Sequence, residues 1–373
     1  MEFRIAKDTF LKGLQRVQGI VEKRTTMPIL SNVLIEATES KIELTATDLE
    51  VGMNSSYPAT IIKPGKLTVS AKKLYEIIKE LPDQEIHVAS RDNDWIDISC
   101  GRSHFSIVGL SPTEFPYFPR IQDDHFLVLS GATIAAMIER TMFAICHDET
   151  KYNLNGVFTR LEGEGENQLL KFVATDGHRL AIADAPLTGN GAEELKKGII
   201  LPRKGIMELK KLAEEGGSQE ILLGFMDNSA VLKKGELVVV MRLVDGEFPD
   251  YNRVVPAGND KTLRANRDDL IHALKRMAIL SSEKYKGIKL EVKEQVVEIS
   301  SSNPELGEAR EEVEVTYNGG PITIRFNARY LIEALQVVAE EQVQLAIKDE
   351  LSPALIMPAS GTGFLSVIMP MRL

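Results

Sequence analysis

In Thr175-Asp176-Gly177-His178-Arg179 a carboxylate and an imidazole stand two residues apart, a spacing at which side chains could relay a proton. An enzyme built on Asp176 and His178, such as a hydrolase, also needs an activated nucleophile or a metal site. The sequence offers neither. Cys100 and Cys146 belong to no Cys-x-x-Cys and form no zinc-spaced cluster with histidine. The other reading is structural, because Asp-Gly favours a tight reversal between the strand-like runs Val173-Ala174-Thr175 and Arg179-Leu180-Ala181. A second stretch with chemical character is the end of the chain, Val367-Ile368-Met369-Pro370-Met371-Arg372-Leu373. Chain ends are usually polar and loose. This one is apolar and rich in methionine, which adapts to varied partners, and Pro370 cannot donate a ladder hydrogen bond. It reads either as a docking edge or as a last core strand packed inward.

The 373 residues suggest two or three domains. With 43% hydrophobic and 26% charged residues, the composition is that of a soluble globular protein. No run of apolar residues is long enough to span a membrane, and the opening Met1–Phe10 stretch lacks the apolar region of a secretory signal. A reduced, cytoplasmic protein without structural metal or cofactor is expected. The net charge of −10 has the wrong sign for gripping nucleic acid over the whole surface. It is compatible with loose enclosure of DNA, and equally with an ordinary acidic cytoplasmic protein.

The chain repeats itself. Glu-Phe-Pro-Tyr-Phe-Pro-Arg-Ile (114–121) returns as Glu-Phe-Pro-Asp-Tyr-Asn-Arg-Val (247–254), and both read as domain-ending linkers. Three pieces of similar size follow: 1–122, 123–254 and 255–373. Each holds two helix candidates at matching places. The first set is Asp8–Val21, Ser130–Phe143 and Arg267–Leu280; the second is Ser70–Leu81, Pro202–Ala213 and Asn327–Ala339. Phe10, Leu14, Val17 and Val21 fall on one helical face, as do Leu74, Ile77, Ile78 and Leu81. Ser70, Ser130 and Asn327 suit N-caps, and Pro202 suits a helix start. Alternating stretches such as Lys41–Leu44, Ile96–Ser99, Glu236–Arg242 and Lys289–Ile299 read as half-buried antiparallel strands. The fold class is therefore α+β, built from about six copies of a helix-plus-strands unit.

Stacked repeats can close into an arc. If the helices line its inside at ~10 Å between axes, six give a circle roughly 19 Å across and twelve roughly 38 Å. Less one helix width, the larger leaves about 28 Å, enough for a duplex roughly 20 Å wide. The arithmetic favours two chains, head to tail. The helix windows carry a slight net positive charge while the remainder is strongly acidic, which suits a lining that attracts phosphates without reading bases, and equally helix faces that simply collect lysine and arginine.

Several stretches resemble the bacterial beta sliding clamp of the replicative polymerase. They are PILSNVLIEA (28–37), TATDLEV (45–51), YNLNGVF (152–158), VATDGHRLA (173–181), ILPRKGIMEL (200–209), LVDGEFPDYNRVVP (243–256), AILSSEKYKGIKL (278–290), NPELGEA (303–309) and VIMPMRL (367–373). They run in order through all three pieces and cover essentially the whole chain. The resemblance implies three clamp domains per chain, helices lining a central channel, sheets outside, and a head-to-tail homodimeric ring of six domains. It implies a processivity factor in DNA replication, with no catalytic activity. Its partners would be double-stranded DNA, a second copy of the chain, the polymerase catalytic subunit, the clamp loader, and other polymerases, mismatch-repair proteins and ligase docking by linear motifs; no membrane is implied.

The same resemblance assigns residues. A peptide-binding groove would be formed by Leu154, Thr175, Gly177, His178, Arg179, Leu180, Pro249, Arg253, Val254, Val367, Met369, Pro370, Met371 and Arg372. DNA would meet Lys12, Arg24, Lys73, Arg140, Lys151, Tyr152, Arg203 and Lys204, each of which is also readable as a solvated surface residue. The dimer contact would join Phe105 and Ile107 of one copy to Ile279 and Leu280 of the next. Lys72, Lys73 and Arg102 could add ion pairs there to Glu308, Glu311 and Glu312. The chain departs from the family pattern at Asp148, where Gln is familiar, and at Asn153, where Tyr is familiar. An acidic side chain at Asp148 would repel phosphate.

Overall fold

The structure, a computed structural model, describes residues 1–22, 26–119, 121, 126–164, 167–187, 193–216, 220–281 and 286–372. Among them seven α-helices occur: α1 (Lys7–Val17), α2 (Ala71–Glu80), α3 (Gly131–Met142), α4 (Glu193–Lys197), α5 (Arg203–Glu214), α6 (Arg267–Ile279) and α7 (Ala328–Gln336). Six of the seven follow a strand without an intervening loop. The strands end at Ala6, Ser70, Ser130, Pro202, Asn266 and Asn327, each the residue before its helix. The expected unit is therefore a strand that turns directly into a helix. The short α4 has no such strand and no counterpart in the sequence expectation.

Caps explain several of these turns. Ser70 accepts from the Lys73 N–H at 3.4 Å and Asn327 from the Arg329 N–H at 3.0 Å. Asn266 accepts from both Asp268 and Asp269 N–H, a cap the sequence reading did not single out. Helix α1 buries Phe10, Leu14 and Val17, as their spacing requires. It stops at Val17, short of Val21, because Gly19 and Ile20 donate three residues back and tighten the last turn. Helix α7 likewise ends at Gln336, with Val338 donating to Leu335. The alternating stretch 289–299 lies in a hairpin, Gly287–Val292 against Val296–Asn303, turned by polar residues 293–295.

The chain separates into two compact units, Met1–Ser130 with Met207–Leu243, and Gly131–Ile206 with Val244–Leu373. Each unit holds part of the central expected piece, 123–254. The expected boundary at 122 and 123 lies outside the described residues. In the first unit, a five-stranded sheet (60–63, 2–6, 85–90, 95–100, 103–108) accompanies an eight-stranded one (127–130, 220–226, 229–234, 237–242, 51–58, 41–47, 32–38, 65–70). The eight-stranded sheet is continuous because Val51–Ser55 pairs with Leu237–Met241, joining distant parts of the sequence edge to edge. The second unit repeats the device. Its nine-stranded sheet runs 199–202, 156–162, 169–175, 179–186, 364–368, 354–358, 342–347, 261–266, 316–317, and the join is Arg179–Ala183 against Phe364–Ile368. A four-stranded sheet (307–314, 296–303, 287–292, 322–327) completes it. Helices α6 and α7 pack on one another, as do α1 and α2.

Candidate functional site

The reversal after Thr175 is fixed by short side chains. The Thr175 hydroxyl accepts from the Gly177 N–H at 3.1 Å and donates to the Arg179 carbonyl at 2.6 Å. Asp176 Oδ1 accepts from the N–H groups of His178 (2.9 Å) and Arg179 (3.1 Å). Gly177 sits at φ +90°, a conformation that a residue with a Cβ rarely adopts. Asp176 is thus occupied in holding a turn.

Arg179 organises the surroundings of that turn. Its side chain is 6% exposed. Its Nε lies 3.2 Å from Asp176 Oδ2, Nη1 donates to Glu333 on α7, and Nη2 donates to the Phe143 carbonyl just beyond α3. The guanidinium also lies over the rings of Tyr330, 4.5 Å to the centroid, and Phe143, 5.1 Å. Tyr330 stacks on His178 at 6.4 Å between centroids. Burial alone would raise the Glu333 pKa, but hydrogen bonds from Arg329 and Arg179 outweigh it and hold the carboxyl below its ordinary value.

Beside this framework lies an apolar pocket of about 130 Å³, lined by Leu154, Thr175, Gly177, His178, Arg179, Leu180, Phe248, Pro249, Tyr251, Val254, Val367 and Met369. Its floor is part of a buried cluster of Val173, Leu180, Ile182, Tyr251 and Val367. Phe248 stacks on Phe158 at 4.9 Å. The Tyr251 hydroxyl donates to Glu162 Oε1 at 2.8 Å, and burial together with that carboxylate pushes the phenol pKa up. Glu162 would be raised by burial; hydrogen bonds from Lys171 and Tyr251 keep it low instead. The last strand is pinned to the turn by the Met369 N–H, which donates to the His178 carbonyl at 3.0 Å.

Ten of the fourteen groove candidates line this pocket. Arg253, Pro370, Met371 and Arg372 do not. Arg253 points to solvent, its side chain 86% exposed and paired with Asp250, and the Met371 N–H donates to Arg325 on a different strand. Sequence reasoning missed Phe248 and Tyr251, although both stand in the repeated Glu-Phe-Pro segment it had noticed. It also missed Tyr330 and Glu333, which no local pattern connects to Arg179.

The cation candidates are scattered. Arg24 lies outside the described residues. Lys12 and Lys73 are exposed on α1 and α2, and Lys73 pairs with Glu76 at 2.9 Å. Arg140 is half-buried and donates to the Gly363 carbonyl. Arg203 contacts His147 at 2.6 Å, and Lys204 follows it at the start of α5. Lys151 and Tyr152 are exposed on the 3-10 turn Glu149–Leu154, which also supplies Leu154 to the pocket. Asp148 caps that turn, accepting from the Thr150 N–H and hydroxyl. Asn153 donates to the Glu247 carbonyl, tying the turn to the linker. Among the described residues no group of His, Cys, Asp or Glu could hold a metal.

At the first unit's sheet edge, Phe105 stands opposite Ile98 and Ile107 opposite Ile96, so both project on the core side of the last strand. Phe105 remains 39% and Val108 60% exposed. Ile279, at the end of α6, is 74% exposed, and α6 packs on the edge strand Gly307–Glu314. Within the chain, Lys72 and Lys73 pair with Glu76, and Glu311 with Arg276.

Joined antiparallel sheets, repeated strand-to-helix units and a preformed apolar pocket define a clamp-fold protein of three repeated domains. Models of the DNA polymerase III beta subunit match in order: its N-terminal domain over residues 1–119, its central domain over 128–250 and its C-terminal domain over 252–372. The beta sliding clamp of Pseudomonas aeruginosa is 39% identical over 377 residues, and that of Escherichia coli K12 36% over 374, with both chains covered in full. Among solved structures, a sliding clamp from Bartonella birtlesii bound to griselimycin superposes with a TM-score of 0.95 at 34% identity. One from Caulobacter crescentus gives 0.91 at 35%, again over the whole of both chains. The chain belongs to the DNA polymerase III beta subunit family, the beta sliding clamps. It is a processivity factor rather than a catalyst, which disposes of the hydrolase reading of Asp176 and His178.

Proposed function

We propose that two copies of the chain close head to tail into a ring around duplex DNA, and that the pocket behind Gly177 tethers replication enzymes to it. The observation that carries the tethering is an apolar recess beside which Thr175 and Asp176 are committed to the turn and the Arg179 guanidinium to Asp176, Glu333 and the Phe143 carbonyl, leaving side-chain-shaped space. Short linear peptides of the polymerase catalytic subunit, the clamp loader, other polymerases, mismatch-repair proteins and ligase would dock there. The proposed groove extends from the pocket along Arg253, Pro370, Met371 and Arg372.

Closure is supported by the edges. Within each unit the chain already joins separate parts of its sequence through antiparallel edge strands. The strands Ser103–Val108 and Gly307–Glu314 end their sheets, so a second copy can extend the same device, burying Phe105 and Ile107 against Ile279 and Leu280. Lys12, Arg24, Lys73, Arg140, Lys151, Tyr152, Arg203 and Lys204 would then supply weak, sequence-independent contacts to phosphate. A closed ring leaves DNA only by opening, so weak contacts suffice, and a docked enzyme is held at high effective concentration near the primer. The setting is cytoplasmic; no described helix is long and apolar enough to cross a membrane.

After loading by its loader, the protein should remain on closed circular DNA and run off when the circle is cut. Equal loss from circular and linear DNA would rule out the ring.

A further inference from the structure

The four-stranded sheet of the second unit carries an arrangement that tethering by the pocket does not use. Its register sets Lys289 directly opposite Arg325 on one side and Ser300 on the other, and Ser300 opposite Arg310. Directly opposed residues share a face, so three cations and a hydroxyl form one row across all four strands. The four line an open depression of about 610 Å³. Like charges directly opposite across a ladder are destabilising. In a chain of net charge −10, composition alone does not call for such a row. Lys289 pairs with Glu291 at 2.6 Å, and Arg310 and Arg325 are exposed and make no side-chain ion pair among the described residues, although the next row on the same face is acidic, with Glu291 opposite Glu298 and Glu298 opposite Glu312. Glu298 and Glu308 also face the depression, the latter accepting from the Ser302 hydroxyl. On the side toward the groove the Lys289–Arg325 pair adjoins Gly287 and Asn327 instead of carboxylates, so an incoming anion meets the row at its Arg325 end.

The row begins where the proposed groove ends. The Met371 N–H donates to the Arg325 carbonyl at 2.8 Å. A Cβ built on Gly287 would come within 3.5 Å of Met371 Cε. Gly287 and Lys289 are two apart on one strand and face the same way, so the Met371 side chain lies on the face that carries the row. Met369, two residues earlier, lines the pocket, and two extended residues reach at most about 7 Å.

We propose that this row is a second contact strip, and that it takes the acidic residues flanking a linear peptide whose apolar part sits in the pocket. The two arginines suit carboxylates through paired N–H donors, and Ser300 adds a hydroxyl donor between them. The proposal rests on the pocket being a peptide site.

The test uses the full chain and fluorescein-labelled synthetic peptides with a Leu-Val-Leu-Phe core. The core carries either an Asp-Glu-Asp-Glu or a Ser-Gly-Ser-Gly tail, placed at either end in separate peptides, and binding is read by anisotropy. At low salt one acidic-tailed peptide should bind about tenfold tighter than its neutral counterpart, as a few exposed charge contacts allow. In Arg310→Ser/Arg325→Ser the advantage should fall below about twofold, with the neutral-tailed peptide unaffected. Equal affinity of the tails for the intact protein overturns the proposal, as does an advantage that survives the double substitution. So does a variant that weakens both peptides alike, which would mark the arginines as structural. A short DNA duplex that abolishes the acidic advantage without displacing the neutral peptide reassigns the row to nucleic acid and also overturns it. If neither peptide binds, the pocket reading itself fails and this proposal with it.

Discussion

The pocket behind Gly177 and the open strand Ser103–Val108 both present apolar side chains to solvent, yet they are built in opposite ways. Around the pocket the polar groups are committed: Thr175 and Asp176 to the turn, and the Arg179 guanidinium to Asp176, Glu333 and the Phe143 carbonyl. What is left is a recess of fixed shape that can select side chains. The edge strand has no further strand of its sheet beside it among the described residues, and Phe105 and Ile107 overhang the core side of the last ladder. Such an edge selects a partner's backbone by register and only then its side chains. On the reading proposed above, one site would be recognised through the saturation of its polar groups, the other through their incompleteness.

If that distinction holds, each site should fail without the other. Deleting residues 369–373 removes the segment pinned to the His178 carbonyl and part of the pocket lining. Peptide binding by the shortened protein should drop below detection in a pull-down, while its sedimentation stays that of the full-length protein. A shortened chain that still captures peptide at full strength would place the groove elsewhere. Phe105→Ala with Ile107→Ala should do the converse. Truncating central apolar interface anchors costs about 2 kcal/mol or more, roughly 30-fold in dimer dissociation. Analytical ultracentrifugation should show a shift to monomer, with peptide affinity unchanged; a dimer of undiminished strength would show that this edge is not the contact.

How far the sequence discloses each region follows from the range of its interactions. The six helices are legible because their apolar spacing and their Ser and Asn caps act within a few residues. The Asp-Gly turn is legible for the same reason, since Thr175, Asp176 and Arg179 settle it locally. Helix ends are less so: whether α1 runs on to Val21 depends on three-residue hydrogen bonds after Val17 that the apolar pattern does not encode. The framework behind the turn is hidden, because Arg179 and Glu333 lie 154 residues apart and Tyr251 and Glu162 89 apart. Knowing the family names much of the pocket wall but not the residues that hold the wall in place.

Those holding residues sharpen the comparison. Glu333→Gln keeps the shape of α7 but removes the charge that answers Arg179. With hydrogen bonds to charged groups worth about 1.5–3 kcal/mol, unfolding of this unit should require measurably less denaturant. Peptide affinity should fall about tenfold as the 175–180 turn loosens. The Glu333 pKa is depressed in the folded protein, so its contribution is complete above the ordinary carboxylate pKa and disappears as pH falls through the folded value. The difference between the two proteins should thus be constant above about pH 5 and shrink below about pH 4. A difference independent of pH would mean that Glu333 acts through packing alone.

The smallest effect is expected from Tyr251→Phe. The ring still fills the pocket wall and still meets Phe158, so the apolar recess should bind peptide almost as before. What is lost is the hydroxyl donated to Glu162, and Lys171 remains to satisfy that carboxylate. A cost of about 1 kcal/mol in stability is expected. The sign of its pH dependence is opposite to that of Glu333. The folded phenol pKa is raised, so the stability it gives is whole below the ordinary tyrosine value near 10 and is lost as pH climbs toward the folded one. Denaturant melts at pH 8 and at pH 11 should show the native protein's advantage over Tyr251→Phe narrowing at the higher pH. If peptide affinity fell tenfold in this variant, the pocket would be reading a hydroxyl as well as a shape, and the contrast with the strand edge would weaken.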